Sequence, residues 1–273
     1  MTSLLLAIDI GNTHTVSGLY AGDDLLEHWR AATDTHATAD QLAVSYSSLL
    51  VLQGYKLTDV RQLILSSVVP SLVGQYQSMT ERYLETQALV VGPGLKTGLP
   101  VLTNNPHEVG ADRIVNAVAA LDLLGGPCVV VDFGTAITFC AISAQGEYLG
   151  GAIAPGIEVS LEALTARAAR LSRVDLSEPE AVIGKTTAGS LRSGVIYGFA
   201  GMVDGVVKRM RKELAGQDEK GQLAADAGSE KIATIATGGF AEMVVSHTET
   251  LNLVDPLLTL KGLKLVYERN EKN

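Results

Sequence analysis

The stretch LLLAIDIGNTHTVSGLY, residues 4–20, decides the reading of this chain. Its first half is an apolar, strand-like run that ends in Asp9-Ile10-Gly11-Asn12-Thr13, and residues 15–20 form a second strand-like run. A strand, an acid at its end, a glycine turn and a returning strand rich in Thr set backbone N–H groups beside a carboxylate. That combination suits phosphate oxygens and the Mg²⁺ that accompanies them, because Mg²⁺ shares oxygen ligands between protein, water and phosphate. Asp, Gly, Asn and Thr are also ordinary turn residues, and for one copy the plain turn is the better reading. Residues 128–131 supply a second copy, ending in Asp132-Phe133-Gly134-Thr135 and followed by a strand-like run over 136–143. A plain turn needs no twin, so the repetition favours two phosphate turns facing one nucleotide.

Working outward, residues 4–10, 15–20 and 25–31 read as an antiparallel meander. A helix follows over 38–53, where Leu42, Tyr46, Leu49 and Leu50 recur at helical spacing, then a strand over 62–69, a helix over 72–84 and a short strand over 88–91. Three antiparallel strands extended by parallel ones make a ribonuclease-H-like unit. After a Gly/Pro/Asn-rich segment at 92–106 and a helix from about 112 to 124, the order repeats. Strands are expected at 128–132, 136–143, 148–153 and 231–237, and helices at 156–169, 188–214, from 241, and 256–267. Residues 170–184 read as irregular, 216–230 as a polar loop and 268–273 as a frayed tail. The expected fold class is therefore α/β, two ribonuclease-H-like domains with mixed sheets and helices on both faces, divided as 1–110 and 111–273.

Composition narrows the function. The 273 residues are 47% hydrophobic and 19% charged, enough apolar material for two cores. A net charge of -9 with no Lys/Arg cluster argues against a nucleic-acid surface. No apolar run reaches the roughly 18 residues of a membrane span and no secretory signal opens the chain, so the cytoplasm is the expected compartment. Cys128 and Cys140 sit in apolar runs without zinc-ligand spacing, and the five histidines show no metal-ligand spacing and are read as non-catalytic.

Three further features stand out. Residues 108–116 read Glu-Val-Gly-Ala-Asp-Arg-Ile-Val-Asn, in which Gly110 and Ala111 admit a ligand close to the backbone and Asp112-Arg113 open a helix. The helix dipole favours an ionised acid there, the state that accepts a hydroxyl proton in phosphoryl transfer; an ordinary N-cap is the competing reading. Gly238-Gly239, after a strand and before a helix, fits close approach to a nucleotide sugar or base, or a plain turn. Gly194, Gly198, Gly201 and Gly205 share one face of the long helix, each at a cost of roughly 1 kcal/mol. Close packing on a neighbour, within the domain or across a dimer, would offset it.

Asp9-Ile10-Gly11-Asn12-Thr13, Gly110-Ala111-Asp112-Arg113, Asp132-Phe133-Gly134-Thr135, residues 150–156 (GGAIAPG) and residues 183–187 (IGKTT) occur in the order and spacing of the type III pantothenate kinases, which the chain resembles over nearly its whole length. The resemblance implies membership of the acetate and sugar kinase, heat-shock chaperone and actin superfamily. It further implies ATP-dependent phosphorylation of pantothenate, the first step toward coenzyme A. By the same resemblance the segment Asp9, Ile10, Gly11, Asn12, Thr13, His14, Thr15 and Val16 would serve the ATP phosphates, with Asp9 near Mg²⁺. Gly110, Ala111, Asp112, Arg113 and Thr187 would meet pantothenate, Asp112 as proton acceptor and Arg113 on its carboxylate. Asp132 would hold a monovalent cation, K⁺ or NH₄⁺, and Thr135 would touch ATP. A homodimer is implied as well. Two positions depart from the pattern: Thr103 stands where many members have Tyr, and His14 where many have Asn. A kinase for another small hydroxylated metabolite and a non-enzymatic nucleotide-binding regulator or chaperone-like relative are the alternatives.

Overall fold

The computed structural model describes residues 4–168, 174–216 and 231–271. Much of the irregular segment expected at 170–184 is included, whereas nearly all of the loop expected at 216–230 lies outside the described residues. Two compact units emerge. The first runs through Gly98 and adds Asn105–Ala119 and the chain from Thr259 on; the second holds Leu99–Asn104 and Ala120–Leu258. The chain thus passes between the two units at several points, and most of a central helix and of the last helix belongs to the first unit.

In the first unit, strands β1 (Leu4–Ile10), β2 (His14–Ala21), β3 (Asp24–Ala32), β4 (Val60–Ser67) and β5 (Ala88–Val90) lie in the order β3-β2-β1-β4-β5. The β1–β2 and β2–β3 pairs are antiparallel, whereas β1–β4 and β4–β5 are parallel. β1 is central and nearly all of it is buried, which is why it reads as an unbroken apolar run and not an alternating one. Helices α1 (Ala39–Leu52) and α2 (Pro70–Met79) cover one face, burying Leu42, Tyr46, Leu50, Leu72, Tyr76 and Met79 against Ile8, Ile10 and Leu19. α1 starts in a capping box: Gln41 N–H donates to Thr38 Oγ1 at 3.3 Å and Thr38 N–H donates to Gln41 Oε1 at 2.9 Å. Pro70 sits at the start of α2, where its missing N–H costs nothing.

In the second unit, β6 (Cys128–Phe133), β7 (Ala136–Ile142), β8 (Tyr148–Pro155) and β9 (Ala233–Gly238) lie in the order β8-β7-β6-β9, with β6–β9 parallel and the other pairs antiparallel. The meander with a parallel extension therefore recurs, as the repeated sequence pattern requires. α3 (Ala111–Leu124) begins in the first unit and ends in the second, while α4 (Ile157–Arg167), α5 (Thr187–Ala215) and the short α6 (Ala241–Val245) belong to the second. Ala200, Val203 and Val207 of α5 bury against Val129, Val131 and Phe139.

Two expectations change. The tail is not frayed as far as Glu271: α7 (Leu258–Glu271) includes it, because Arg269 donates to the Thr97 carbonyl, Gln62 Nε2 donates to Glu271 at 2.7 Å, and Lys264 pairs with both Asp23 and Glu268. The glycine stripe does not pack on a neighbour among the described residues of this chain. Among the described residues nothing lies within 4 Å of a Cβ placed on Gly194, Gly198 or Gly201, and Gly205 would meet only the mobile end of Arg209, at 3.3 Å.

Candidate active site

The first turn is held by hydroxyls. Gly11 N–H donates to the His14 carbonyl at 3.0 Å, closing the link between β1 and β2. Thr33, just past β3, braces it twice: its Oγ1 donates to the Gly11 carbonyl at 2.7 Å and its N–H to the Thr13 carbonyl at 2.9 Å. Asn12 and Thr13 are exposed, leaving the tip of the turn open. Asp9 faces Ser66 across the parallel β1–β4 pair, and Ser66 Oγ donates to Asp9 Oδ1 at 2.6 Å. Arg30 Nη2 lies 3.0 Å from His14 Nδ1, and since a guanidinium only donates, that nitrogen accepts.

The same unit carries Asp112 and Arg113 in the first turn of α3. Asp112 Oδ1 is buried without a hydrogen-bond partner. It lies over Gly110, where an added Cβ would approach it to 2.4 Å and push the carboxylate aside. Burial raises the Asp112 pKa above the usual carboxylate value, against opposing contributions from Arg113 and local backbone N–H groups. Desolvation therefore outweighs the helix dipole on which the sequence reading relied. The helix start is fixed from behind by α7. Thr259 Oγ1 donates to the buried Asn116 Oδ1 at 2.7 Å, and a Cβ on Gly262 would lie 2.0 Å from the Val115 carbonyl oxygen, so the two backbones touch.

In the second unit backbone packs closely on backbone. Gly134 N–H donates to the Ala136 carbonyl at 3.1 Å and Gly156 N–H to the Thr135 carbonyl at 3.0 Å. A Cβ on Gly156 would sit 2.3 Å from the Thr135 oxygen and 2.5 Å from that of Gly134. Gly238, at φ +94, ends β9 beside Asp132, and its Cβ would lie 2.6 Å from both Asp132 Oδ1 and the Phe133 carbonyl oxygen. Phe240, two residues on, lines a cavity of about 150 Å³ with Glu158, Glu162 and Asp175. Thr187 is exposed at the first position of α5. Thr186 caps that helix by accepting from Gly189 N–H at 3.0 Å, and Gly184 packs directly on its first turn.

Residues 5–209 match the family described as type III pantothenate kinase. The chain belongs to the type III pantothenate kinase family. It is 51% identical over 98% of both chains to a protein named type III pantothenate kinase from Streptomyces avermitilis. A protein of the same name from Moorella thermoacetica is 48% identical, over 98% of this chain and all of the other. Two solved structures share the fold. One, from Campylobacter jejuni and described as a Baf family transcriptional activator, has a TM-score of 0.59 at 19% identity, covering 98% of this chain and 100% of that one. The other is the ethanolamine utilization protein EutJ from Carboxydothermus hydrogenoformans, with a TM-score of 0.54 at 13% identity over 96% and 89% of the two chains.

A kinase of this family uses ATP with a divalent metal. Among the described residues no group of three or more His, Cys, Asp or Glu forms a metal cage. Asp9, a single carboxylate beside an open turn, is the kind of site that shares Mg²⁺ with phosphates and water. At Gly238 the absence of a side chain lets the backbone come close to an Asp132 carboxylate oxygen and to the Phe133 amide and carbonyl, space that a Cβ would fill. The sequence reading named neither Ser66, Thr33, Asn116 nor Gly262. Ser66 was open to inference, since a serine opposite Asp9 follows once β4 is placed parallel to β1. Gly262 carried no local signal.

Proposed function

We propose that this kinase phosphorylates pantothenate with ATP through the following division of labour. The observation that carries it is the Asp112 carboxylate oxygen, buried and without a partner at the start of α3. An acid oxygen left so is poised to accept the proton of a substrate hydroxyl, and its raised pKa makes it a stronger base than an ordinary aspartate. Arg113, beside it, would hold the substrate carboxylate, with Gly110 and Ala111 letting the substrate approach the backbone; Thr187 would add a contact.

The Gly11, Asn12 and Thr13 turn, with its flanking Ile10, His14, Thr15 and Val16, would cradle the ATP phosphates. Asp9, oriented by Ser66, would hold Mg²⁺, which when bound neutralises phosphate charge. Asp132 would hold K⁺ or NH₄⁺, and Thr135, exposed at its turn, would meet ATP. Phosphoryl transfer asks the protein mainly for alignment and charge compensation, and the rigid bracing of both turns supplies alignment. The test is ATP-dependent formation of phosphopantothenate, with and without K⁺, against a panel of other hydroxylated metabolites. A different preferred acceptor would overturn the substrate, and K⁺ independence would overturn the role of Asp132.

The open glycine stripe of α5 supports a homodimer. Four glycines on one helix face cost roughly 1 kcal/mol each relative to alanine, and among the described residues no group packs on three of them. A second copy would offset that cost, and Gly198→Leu is expected to convert a dimer to monomer in size-exclusion chromatography. Among the described residues no helix is long and apolar enough to cross a membrane.

A further inference from the structure

A second cavity lies wholly within the first unit, between helices α1 and α2 and the β2–β3 edge of the sheet. Its volume is about 290 Å³, roughly twice the ~150 Å³ of a cavity that accepts benzene. Three aromatic side chains line it: Trp29, the only tryptophan of the chain, with Tyr46 and Tyr76. The two tyrosines meet edge to face at 6.2 Å between ring centroids. Asp34 stands among the lining residues, none of which is Lys, Arg or His. Aromatic faces attract cations through their quadrupoles, and a cage of several rings with one carboxylate is the recurrent receptor for alkylammonium groups. Burial also raises the pKa of both tyrosines, so they keep their protons and offer neutral rings at physiological pH.

The floor of this cavity connects to the phosphate turn. Thr15 itself lines the cavity, its Oγ1 lies 2.9 Å from Thr33 Oγ1, and Thr33 Oγ1 donates to the Gly11 carbonyl at 2.7 Å. A carbonyl only accepts, so the hydrogens run one way. Thr33 gives its proton to Gly11 and accepts from Thr15. A ligand that displaces Thr15 therefore moves the hydroxyl chain that braces Gly11.

We propose that this cavity binds a small organic cation, an alkylammonium of about choline size, and that its occupancy is transmitted through Thr15 and Thr33 to the phosphate turn. The transmission rests on the reading of that turn as the ATP site; the binding does not. Trp29, being unique, makes its fluorescence a reporter of the cavity alone. Choline titrated into the full chain is expected to give a saturable change, with 3,3-dimethyl-1-butanol, its uncharged counterpart, binding at least about tenfold more weakly. Asp34→Asn keeps an acceptor for the His36 N–H that Asp34 now holds at 2.9 Å, and should weaken choline alone. No saturable change overturns the site; equal binding of the neutral alcohol, or indifference to Asp34→Asn, overturns its cation character. Choline should further shift the dissociation constant of ATP by about fivefold, and Thr15→Val, which keeps the shape and removes the donor to Thr33, should abolish that shift. Unchanged ATP affinity overturns the relay. Failure of ATP to bind without choline overturns the nucleotide reading of the turn, while the Trp29 titration still decides the cavity.

Discussion

The two turns that open their sheets look alike in sequence and are built by different physics. Around Asp9 the bracing groups are side-chain hydroxyls: Ser66 on the acid, Thr33 on the Gly11 carbonyl, Thr15 behind them. Around Asp132 backbone packs tightly against its neighbours, with Gly156 on the Gly134 and Thr135 carbonyls and Gly238 on Asp132 and Phe133. The first arrangement can be loosened one hydrogen bond at a time. In the second, a single added methyl must displace main chain. A repeated motif thus fixes the geometry without fixing how that geometry is held.

Neither turn carries the group proposed for proton transfer, and this gives the largest expected effect. Asp112→Asn removes the acceptor but not the bulk, so turnover should fall by about 10²–10⁴-fold with ATP affinity nearly unchanged, as single-turnover kinetics and nucleotide titration would register. Near-normal turnover would return the chemistry to one of the turns.

Next in size comes the steric turn. Alanine at Gly238 would bring a Cβ within 2.6 Å of three atoms at a φ of +94. Both the positive φ and the overlap act against it, and the loss of stability should reach about 2–3 kcal/mol in urea denaturation. Gly11→Ala tests the contrast, since its Cβ would approach one carbonyl oxygen at 2.8 Å and the turn has no positive-φ glycine there. Its cost should be about half as large; equal costs would erase the distinction between the two turns.

The hydroxyl turn should respond more gently. Ser66→Ala deletes one hydrogen bond to a half-buried carboxylate, worth about 1 kcal/mol, so Mg·ATP affinity should weaken about fivefold. An unchanged affinity would mean that Asp9 needs no orientation from β4.

How much of this was legible follows from where each signal resides. β1, β2 and β6 could be read because a strand buried on both faces shows itself as an apolar run, and the acid-glycine turn is local chemistry. The grip of α7 could not, because it is made by pairs far apart in the chain. Arg269 reaches Thr97, Lys264 reaches Asp23, and Gly262 looks like a weak helix residue until Val115 is found against it. The glycine stripe was visible, but whether anything in the chain covered it was not. Asp112 shows the same limit in electrostatics: its neighbours in sequence argue for a lowered pKa, and the burial that raises it comes from the fold.

That raised pKa supplies the smallest and most discriminating prediction. Burial costs the charged form of Asp112, so its pKa is higher in the folded chain than in the unfolded chain. For such a group the stabilising contribution is fully present below the unfolded pKa and is lost as pH rises through the folded one. Asp112→Asn carries no charge at any pH, so its stability relative to the parent should grow with rising pH over that window and level off above it. The activity of the parent should move oppositely, since the base works only when ionised, and the acid limb of its kcat/KM profile should lie above the range of an exposed aspartate. Thermal denaturation of both proteins between pH 4 and neutrality would check the first part, as an order-of-magnitude span about the usual aspartate pKa. A stability difference independent of pH would show that Asp112 is solvated like any surface acid. The buried oxygen over Gly110 would then have lost its electrostatic consequence, and the turns would again be the better candidates for the chemistry.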